Sequence, residues 1–186
     1  MKRFTILAAA ATLLAPASAF AADASDPVAA EFENVCGAAH GEYVQVVSAA
    51  TADSWAEIPV TPDTDSTVTI TSQTTRAKTV ADASLTLLAS QGLRHTSGGD
   101  IAQTVCKISS NKADAGVSAR IQAWLGFPPD SDSSGLTVYY FHYVNGQVQH
   151  VPQSGLQAAL NSGGFGFVKV QADPGATIFV LQTYSK

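Results

Sequence analysis

The chain contains two cysteines, Cys36 and Cys106, and a bond between them would join two segments that are far apart in the sequence. In an exported protein, an even number of cysteines is typical of a disulfide. The bond would close a loop of 71 residues, for which the chain-entropy model gives a stabilisation of about 4 kcal/mol. Two free buried thiols and a catalytic cysteine are the alternatives, and the wide spacing excludes a CxxC redox motif. We predict one structural disulfide.

The amino-terminal residues predict that the chain is exported. Lys2 and Arg3 precede the apolar run FTILAAAATLLA, after which come a proline and small residues. This is the three-part layout of a cleaved secretory signal. The apolar run is about a dozen residues long, whereas a membrane-spanning helix needs roughly 20. We predict a signal peptide at residues 1–21, cleaved after Ala21 or, as the alternative, after Ala19.

The remaining residues, 22–186, have the length of a single domain with a sizeable core. Loss of two basic residues with the signal peptide changes the net charge from −5 to −7. An acidic chain with scattered Lys and Arg offers no electrostatic footprint for phosphates, so nucleic acid is excluded as a main partner. Because there is no second long apolar run, we expect no membrane span after cleavage and a soluble periplasmic or secreted protein.

The residues around each cysteine predict which elements the disulfide joins. In DPVAAEFENVC, apolar side chains at three- and four-residue steps predict a helix capped by Asp26 that carries Cys36 on its buried face. The GAAHG sequence that follows predicts a kink or a split into two helices. In IAQTVCKIS, Cys106 shares one face of a predicted strand with Thr104 and Ile108. The disulfide would therefore attach the first helix to this strand.

Other segments give further elements of the same fold. KADAGVSARIQAWLGFPP predicts the clearest helix, which ends at Gly126. Residues 66–78, rich in Thr and Ser, predict a half-solvated edge strand, while ADASLTLLAS fits either a helix or a strand. Residues 165–171 are predicted to pair with residues 177–184 across an Asp-Pro-Gly turn. We predict one α+β domain: a mainly antiparallel sheet of about five to seven strands, with two or three helices packed on one face.

The stretch FHYVNGQVQH contains two histidines, His142 and His150, on either side of an Asn-Gly pair. Asn-Gly predicts a two-residue type I′ turn, which fixes the pairing of the two strands. His142 then lies opposite Gln149, and Phe141 lies opposite His150. Cross-strand partners share a face of the sheet, so the two histidines point to opposite faces and cannot bind one metal ion.

Aromatic residues on the first strand of this hairpin share a face with His150. They are Tyr139, Phe141 and Tyr143. We predict that they form the inner face of the sheet, packed against the helix that carries Trp124. A recognition stripe on the surface is the alternative.

The stretch LRHTSGGD is the one candidate site. It brings Arg94, His95, Thr96, Ser97 and Asp100 together beside two glycines. A base, a hydroxyl and a carboxylate are the groups used in acyl transfer, and an arginine could bind an anion. A triad normally gathers its members from distant segments, however, so a solvated turn whose polar groups satisfy one another is the preferred interpretation.

Other catalytic patterns are absent or incomplete in the sequence. There is no HExxH, no GxSxG and no phosphate-binding loop. Ser109 and Lys112 match SxxK, but the SDN and KTG elements of penicillin-recognising enzymes are missing, and the match lies in a polar turn rather than at the start of a helix. The sequence therefore predicts no metal site and no cofactor.

The chain is similar to a loosely defined family of small exported bacterial single-disulfide proteins of unknown function. The residues that carry the resemblance are Phe32 and Cys36 in the first helix, Trp55, Cys106 on a strand, and the Leu-Gly-Phe-Pro helix end at residues 125–128. The resemblance spans most of the mature chain. It implies export and the disulfide, and it implies no catalytic residues.

These features favour a non-catalytic periplasmic or secreted module that binds a protein or a small ligand. The alternatives are a secreted hydrolase that uses residues near His95 and a structural component of the cell envelope. Arg94, His95, Ser97 and Asp100 are the first residues to test for binding or catalysis.

Overall fold

The computed structural model describes residues 27–60, 67–113 and 116–185. Across these residues the chain forms nine strands and four α-helices. The strands are β1 (Ala56–Ile58), β2 (Val68–Val80), β3 (Ala83–Thr96), β4 (Gly99–Ser110), β5 (Ser131–Ser133), β6 (Leu136–Val144), β7 (Gln147–His150), β8 (Phe165–Asp173) and β9 (Ala176–Ser185). The α-helices are α1 (Pro27–Phe32), α2 (Tyr43–Ala52), α3 (Val117–Leu125) and α4 (Leu156–Ser162).

The strands form one sheet in the order β1-β2-β3-β4-β9-β8-β6-β5, and β7 also pairs with β6. Each pairing that the structure describes is antiparallel, which confirms the predicted α+β class with a mainly antiparallel sheet. The strands at the two ends of this order, β1 and β5, have three residues each.

The prediction of five to seven strands was wrong, since the described residues form nine. One extra strand, β5, lies in the acidic sequence DSDSSG, where side-chain chemistry favours a turn. The ambiguous ADASLTLLAS forms most of β3, a strand of 14 residues. In both places pairing with a long neighbouring strand decides the structure, and such long-range pairing leaves no local pattern in the sequence.

The prediction of two or three helices on one face was also wrong, because the described residues contain four α-helices and α4 packs on the opposite face. Helix α4 packs against an aromatic cluster of Tyr140 and Phe165 through Leu156, Ala159 and Leu160. β6 and β8 carry large apolar side chains on both faces. A second core therefore forms behind the first.

The main core lies on the face of the sheet that α1, α2 and α3 cover, here called the helix face. Phe32 of α1, Val46 of α2 and Ile121 of α3 are completely buried there. The strand residues that meet them alternate with residues of the other face. They are Leu85, Leu87, Cys106, Ile108, Tyr139, Phe141, Val168, Val170, Phe179 and Leu181. Tyr139 and Phe141 are thus inner-face residues, as predicted.

The disulfide between Cys36 and Cys106 is present and both cysteines are fully buried, which confirms the predicted pairing. Cys36 lies in a π-helical turn, Glu33–Gly37, that follows α1, and the chain turns before α2 begins. The predicted first helix is therefore split at GAAHG. The disulfide attaches this turn to the middle of β4, while the predicted cap at Asp26 lies outside the described residues.

Three local predictions are confirmed. Helix α3 ends at Gly126, which has the left-handed φ of 82° that favours glycine at a helix end. In the β6–β7 hairpin His142 lies opposite Gln149 and Phe141 opposite His150. In the last hairpin, Phe165 pairs with Tyr184.

The predicted edge strand at residues 66–78 corresponds to β2, Val68–Val80, and its first residue, Ser66, lies outside the described residues. Among the described residues, β1 pairs with only three residues of β2, so much of that strand lies at the margin of the sheet. The predicted signal peptide, residues 1–21, lies outside the described residues.

Candidate functional sites

The predicted site in LRHTSGGD lies at the end of the β3–β4 hairpin. His95 on β3 pairs directly with Asp100 on β4, and their side chains meet at 2.8 Å, from Nδ1 to Oδ1. Arg94 points to the opposite face of the sheet from His95, since neighbouring strand residues alternate. Ser97 lies in the turn between the strands, and the hydrogen bonds of His95 among the described residues go to Thr69 and Asp100.

The hydroxyl partner of His95 is Thr69 on β2. Its Oγ1 lies 2.8 Å from Nε2 of His95, so Thr69, His95 and Asp100 form a continuous hydrogen-bonded chain. A bulge in β2 between Ile70 and Ser72 shifts the pairing with β3 by one residue. As a result Thr69 pairs with Leu93 and lies on the same face of the sheet as His95. Sequence reasoning missed Thr69, because a bulge in a Thr-rich strand has no sequence pattern of its own.

This chain of groups has the order hydroxyl, imidazole, carboxylate that acyl transfer uses. Its surroundings differ from those of a catalytic triad: the His95 and Asp100 side chains are 47% and 53% exposed. Water screens a carboxylate at such exposure, which weakens its hold on the imidazole. The turn also satisfies itself, because Thr96 Oγ1 donates to the Gly99 carbonyl and accepts from the Gly98 amide. The arrangement fits a polar clasp at the end of a hairpin better than a reaction centre.

Arg94 lies on the opposite face of the same hairpin. Its Nε donates to Oε1 of Gln103 at 2.6 Å, and its Nη1 donates to Thr67 Oγ1 at 3.1 Å. The guanidinium therefore ties the ends of β2, β3 and β4 together. Arg94 does not share a site with His95 and Asp100.

The two histidines of the β6–β7 hairpin lie on opposite faces, as their register requires. His150 contacts Asp130, with 2.9 Å between Nε2 and Oδ1, and lies against the Phe127 ring. His142 lies beside Phe165 in the aromatic cluster. Over the three described ranges, no group of three or more His, Cys, Asp and Glu residues is placed to hold a metal ion.

The largest charged cluster on the helix face was not predicted. Nζ of Lys78 lies 2.8 Å from Glu31 Oε1 and 2.6 Å from Asp53 Oδ2, and its ammonium sits 5.9 Å from the Trp55 ring centre. Three separate elements, α1, the end of α2 and β2, supply these charges. The residues are 22 to 47 positions apart in the sequence, so only the fold brings them together.

Burial and mutual contact shift the pKa values in this cluster in different directions. Burial raises the pKa of Glu31, and the neighbouring Asp53 carboxylate adds to the rise, while Lys78 opposes it. The hydrogen bond from Lys78 lowers the pKa of Asp53. Burial alone would lower the pKa of Lys78, but its bonds to Asp53 and Glu31 outweigh burial and raise it. The cluster is a compact ion-pair network that holds α1 and α2 onto β2.

The second surface of interest is the face of the sheet opposite the helix face, here called the open face. Helix α4 covers its aromatic end. Many of the strand residues beyond α4 are half-exposed or, as at Thr86, exposed. They are Ala77, Thr86, Leu88, Val105, Lys107, Ser109, Leu136, Val138, Lys169, Gln171, Ile178 and Val180.

The strand register brings five of these residues into one row across the open face. Leu88 pairs with Lys107, Lys107 with Val180, Val180 with Lys169, and Lys169 with Val138. Apolar and basic side chains thus alternate along the row. Sequence reasoning treated Lys107 and Lys169 as scattered charges, since their neighbourhood depends on the pairing of five strands.

An open depression of about 450 Å³ lies at the end of α3 and is lined by Gln122, Phe127, Pro128 and small residues. None of its lining residues is ionisable, so it offers no group for proton transfer. No helix among the described residues is long and apolar enough to cross a membrane.

Comparison with known proteins gives no matching family model, no matching curated protein and no matching solved structure.

Proposed function

We propose that the protein is a non-catalytic, exported binding module whose open face binds another protein. The observation that carries this proposal is the row from Leu88 to Val138, where half-exposed apolar side chains alternate with two lysines. Contiguous apolar side chains rimmed by polar groups are typical of interaction surfaces. The solvated setting of His95 and Asp100 supports a binding role over a catalytic one.

Export supports the same proposal and is itself part of it. Disulfides persist in oxidising compartments, and the buried bond between Cys36 and Cys106 fits such a compartment. The charged start and short apolar run of residues 1–21 supply a route to it. The resemblance to small exported bacterial single-disulfide proteins agrees with this location.

Site-specific photo-crosslinking in the producing cell tests the proposed function. A photoreactive amino acid at Thr86, an exposed residue of the open face, should give a discrete crosslinked product. The same amino acid at Gln122, exposed on α3 and away from the open face, should not give that product. Equal products at both positions, or none at Thr86, would contradict the proposal.

A second candidate function is acyl hydrolysis, which the hydrogen-bonded chain of Thr69, His95 and Asp100 favours. His95 would take the proton from Thr69 Oγ1 as that oxygen attacks an ester carbonyl, and Asp100 would stabilise the imidazolium. The imidazolium would then return the proton to the departing alcohol as the ester C–O bond breaks, and water would hydrolyse the acyl–Thr69 ester. The test is hydrolysis of p-nitrophenyl acetate by the folded protein and by its His95→Ala and Thr69→Val variants. We expect the same slow rate in all three; a turnover that both variants abolish would establish the hydrolase instead.

A further inference from the structure

We infer that the partner of the open face is an acidic amphipathic helix that lies along β9 with Lys107 on one side and Lys169 on the other. This inference rests on the proposed function and specifies the chemistry of the partner. It follows from the geometry of the row, from the sign of its charges and from the position of α4.

The row provides an apolar floor of the right width for a helix. Val180 and Ile178 of β9 point to the open face, and the two lysines lie on the neighbouring strands β4 and β8. Strands are about 4.8 Å apart, so the lysines flank β9 at a separation of about 10 Å. That separation matches the roughly 10 Å diameter of an α-helix. A helix on Val180 would therefore have one lysine along each flank.

The charges of the open face are mainly positive. Its described residues include Lys107, Lys169 and, further along β3, Arg94, while the acidic Asp173 lies at the end of β8 and accepts a hydrogen bond from Gln171. Among the described residues, neither lysine forms an ion pair, whereas Lys78, Lys112 and Arg120 on other parts of the surface each do. A half-buried ammonium without a counter-ion gains most from an incoming carboxylate.

The same charges argue against a second copy of this chain as the partner. Two copies packed through their open faces would bring Lys107 and Lys169 of both copies into one interface, where Asp173 at the end of β8 leaves positive charge in excess. Like charges brought together in an interface disfavour association. A partner whose apolar stripe is bordered by Glu or Asp on both sides has the complementary pattern.

Helix α4 argues against a flat membrane surface. It stands on the same face of the sheet, over Phe165 and Tyr140, and it rises by about one helix diameter, roughly 10 Å. A bilayer would meet α4 first and stay clear of Val180. A single helix fits beside α4, over the stretch from Ile178 to Gln182, which is about 13 Å long at the usual rise per strand residue. About nine residues of a helix would cover it.

Two labelled model peptides test the inference by fluorescence anisotropy with the oxidised, full-length mature protein. Both peptides are helical and carry the same Leu stripe, which is bordered by Glu in one peptide and by Lys in the other. We expect the Glu peptide to bind at least tenfold more tightly, and its affinity to fall as salt rises. Equal affinities would overturn the inference.

Charge reversal gives the decisive arm. In the double variant Lys107→Glu and Lys169→Glu the preference should invert, so that the Lys peptide binds more tightly. The control variant Lys112→Glu changes an exposed lysine that pairs with Asp82 and should leave the preference for the Glu peptide intact. A preference that survives the double reversal would place the binding site elsewhere and overturn the inference.

Anionic lipid vesicles form the remaining arm. If the parent protein binds phosphatidylglycerol vesicles and the double variant does not, the partner of the open face is a lipid surface. That result would overturn the inference of an acidic helix. Crosslinking at Thr86 separates the two proposals: a product there without a difference between the peptides rejects the acidic helix and keeps the binding module. The absence of that product rejects the binding module itself.

Discussion

The two faces of β9 show how differently one strand can be used. Phe179 and Leu181 are fully buried on the helix face, while Val180 between them and Ile178 are half-exposed on the open face. The helix face also has a disulfide and the ion-pair network around Lys78. The open face has two lysines without ion pairs among the described residues. Stability is thus concentrated on one face, which leaves the residues of the other face open to selection for binding.

Removal of the disulfide on the helix face is expected to give the largest loss of stability. The paired variant Cys36→Ala and Cys106→Ala should lower the free energy of unfolding by about 4 kcal/mol, since the bond closes a loop of 71 residues. Urea unfolding of the variant and of the oxidised protein measures the difference. As a control, dithiothreitol should destabilise the parent protein and leave the variant unchanged. An unaltered urea midpoint in the variant would mean that the helix face does not depend on this bond.

Neighbouring substitutions in β9 compare the faces directly. Leu181→Ala removes a completely buried side chain and leaves a cavity, which should cost about 3 kcal/mol. Val180→Ala removes a half-exposed side chain and should cost less than about 1 kcal/mol. Both values come from the same urea titration. Similar costs at the two positions would show that the open face is covered in solution.

Replacing one lysine on each face compares the electrostatic contributions of the two faces to stability. Lys78→Met leaves the largely buried Glu31 without its cation and should lower the free energy of unfolding by about 2 kcal/mol at pH 7. This is less than the usual cost of breaking a buried ion pair, because the second partner, Asp53, is partly exposed to water. Lys107→Met should change stability by less than about 0.5 kcal/mol, because no carboxylate of the described residues forms an ion pair with Lys107.

The cost of Lys78→Met should depend on pH in a defined direction. Burial raises the pKa of Glu31, so the unfolded state is the first to lose this proton as the pH rises. A raised carboxyl pKa adds stability at acidic pH that disappears as the pH rises through the folded-state value. Without Lys78 the pKa of Glu31 is raised further, because Lys78 opposes the rise. The loss of unfolding free energy in the Lys78→Met variant should therefore become smaller as the pH falls from 7 toward 4.5. Urea titrations at three pH values measure this, and a deficit that grows on acidification would contradict it.

Added volume should give the smallest effect. A Cβ at Gly37 would lie 2.6 Å from Cζ2 of Trp124, so Gly37→Ala must displace the indole and should cost about 1–2 kcal/mol. Ala77→Val enlarges a half-exposed residue of the open face in a β-strand, which favours branched side chains, and should be close to neutral. Thermal unfolding of the two variants compares them, and equal losses would argue that both faces are closely packed.

Local chemistry made part of the fold predictable. Asn145-Gly146 set the register of the β6–β7 hairpin, Gly126 ended α3, and apolar spacing placed Cys36 on a buried face. Each of these features acts within a few residues of the chain. The disulfide followed because the count of cysteines left a single pairing.

Features that depend on distant partners were not predictable. β5 formed in an acidic turn sequence because β6 offered a strand to pair with. Thr69 reached His95 through a bulge, and Lys78 reached Glu31 across 47 positions of sequence. The row that unites Lys107 and Lys169 depends on the register of five strands. His95 and Asp100 were correctly placed in one hairpin, but Arg94 was grouped with them although strand alternation separates it.

The short strands at the margins of the sheet bear on how copies of this protein behave when they are crowded. β1 and β5 each present three residues, and each contains an exposed acidic side chain, Glu57 or Asp132. A strand added beside β5 finds few backbone groups to pair with, and its acidic side chain repels another acidic strand. The margin beside β1 is different, because β2 extends well beyond the three residues that β1 covers, so we expect strand addition at high concentration to begin there.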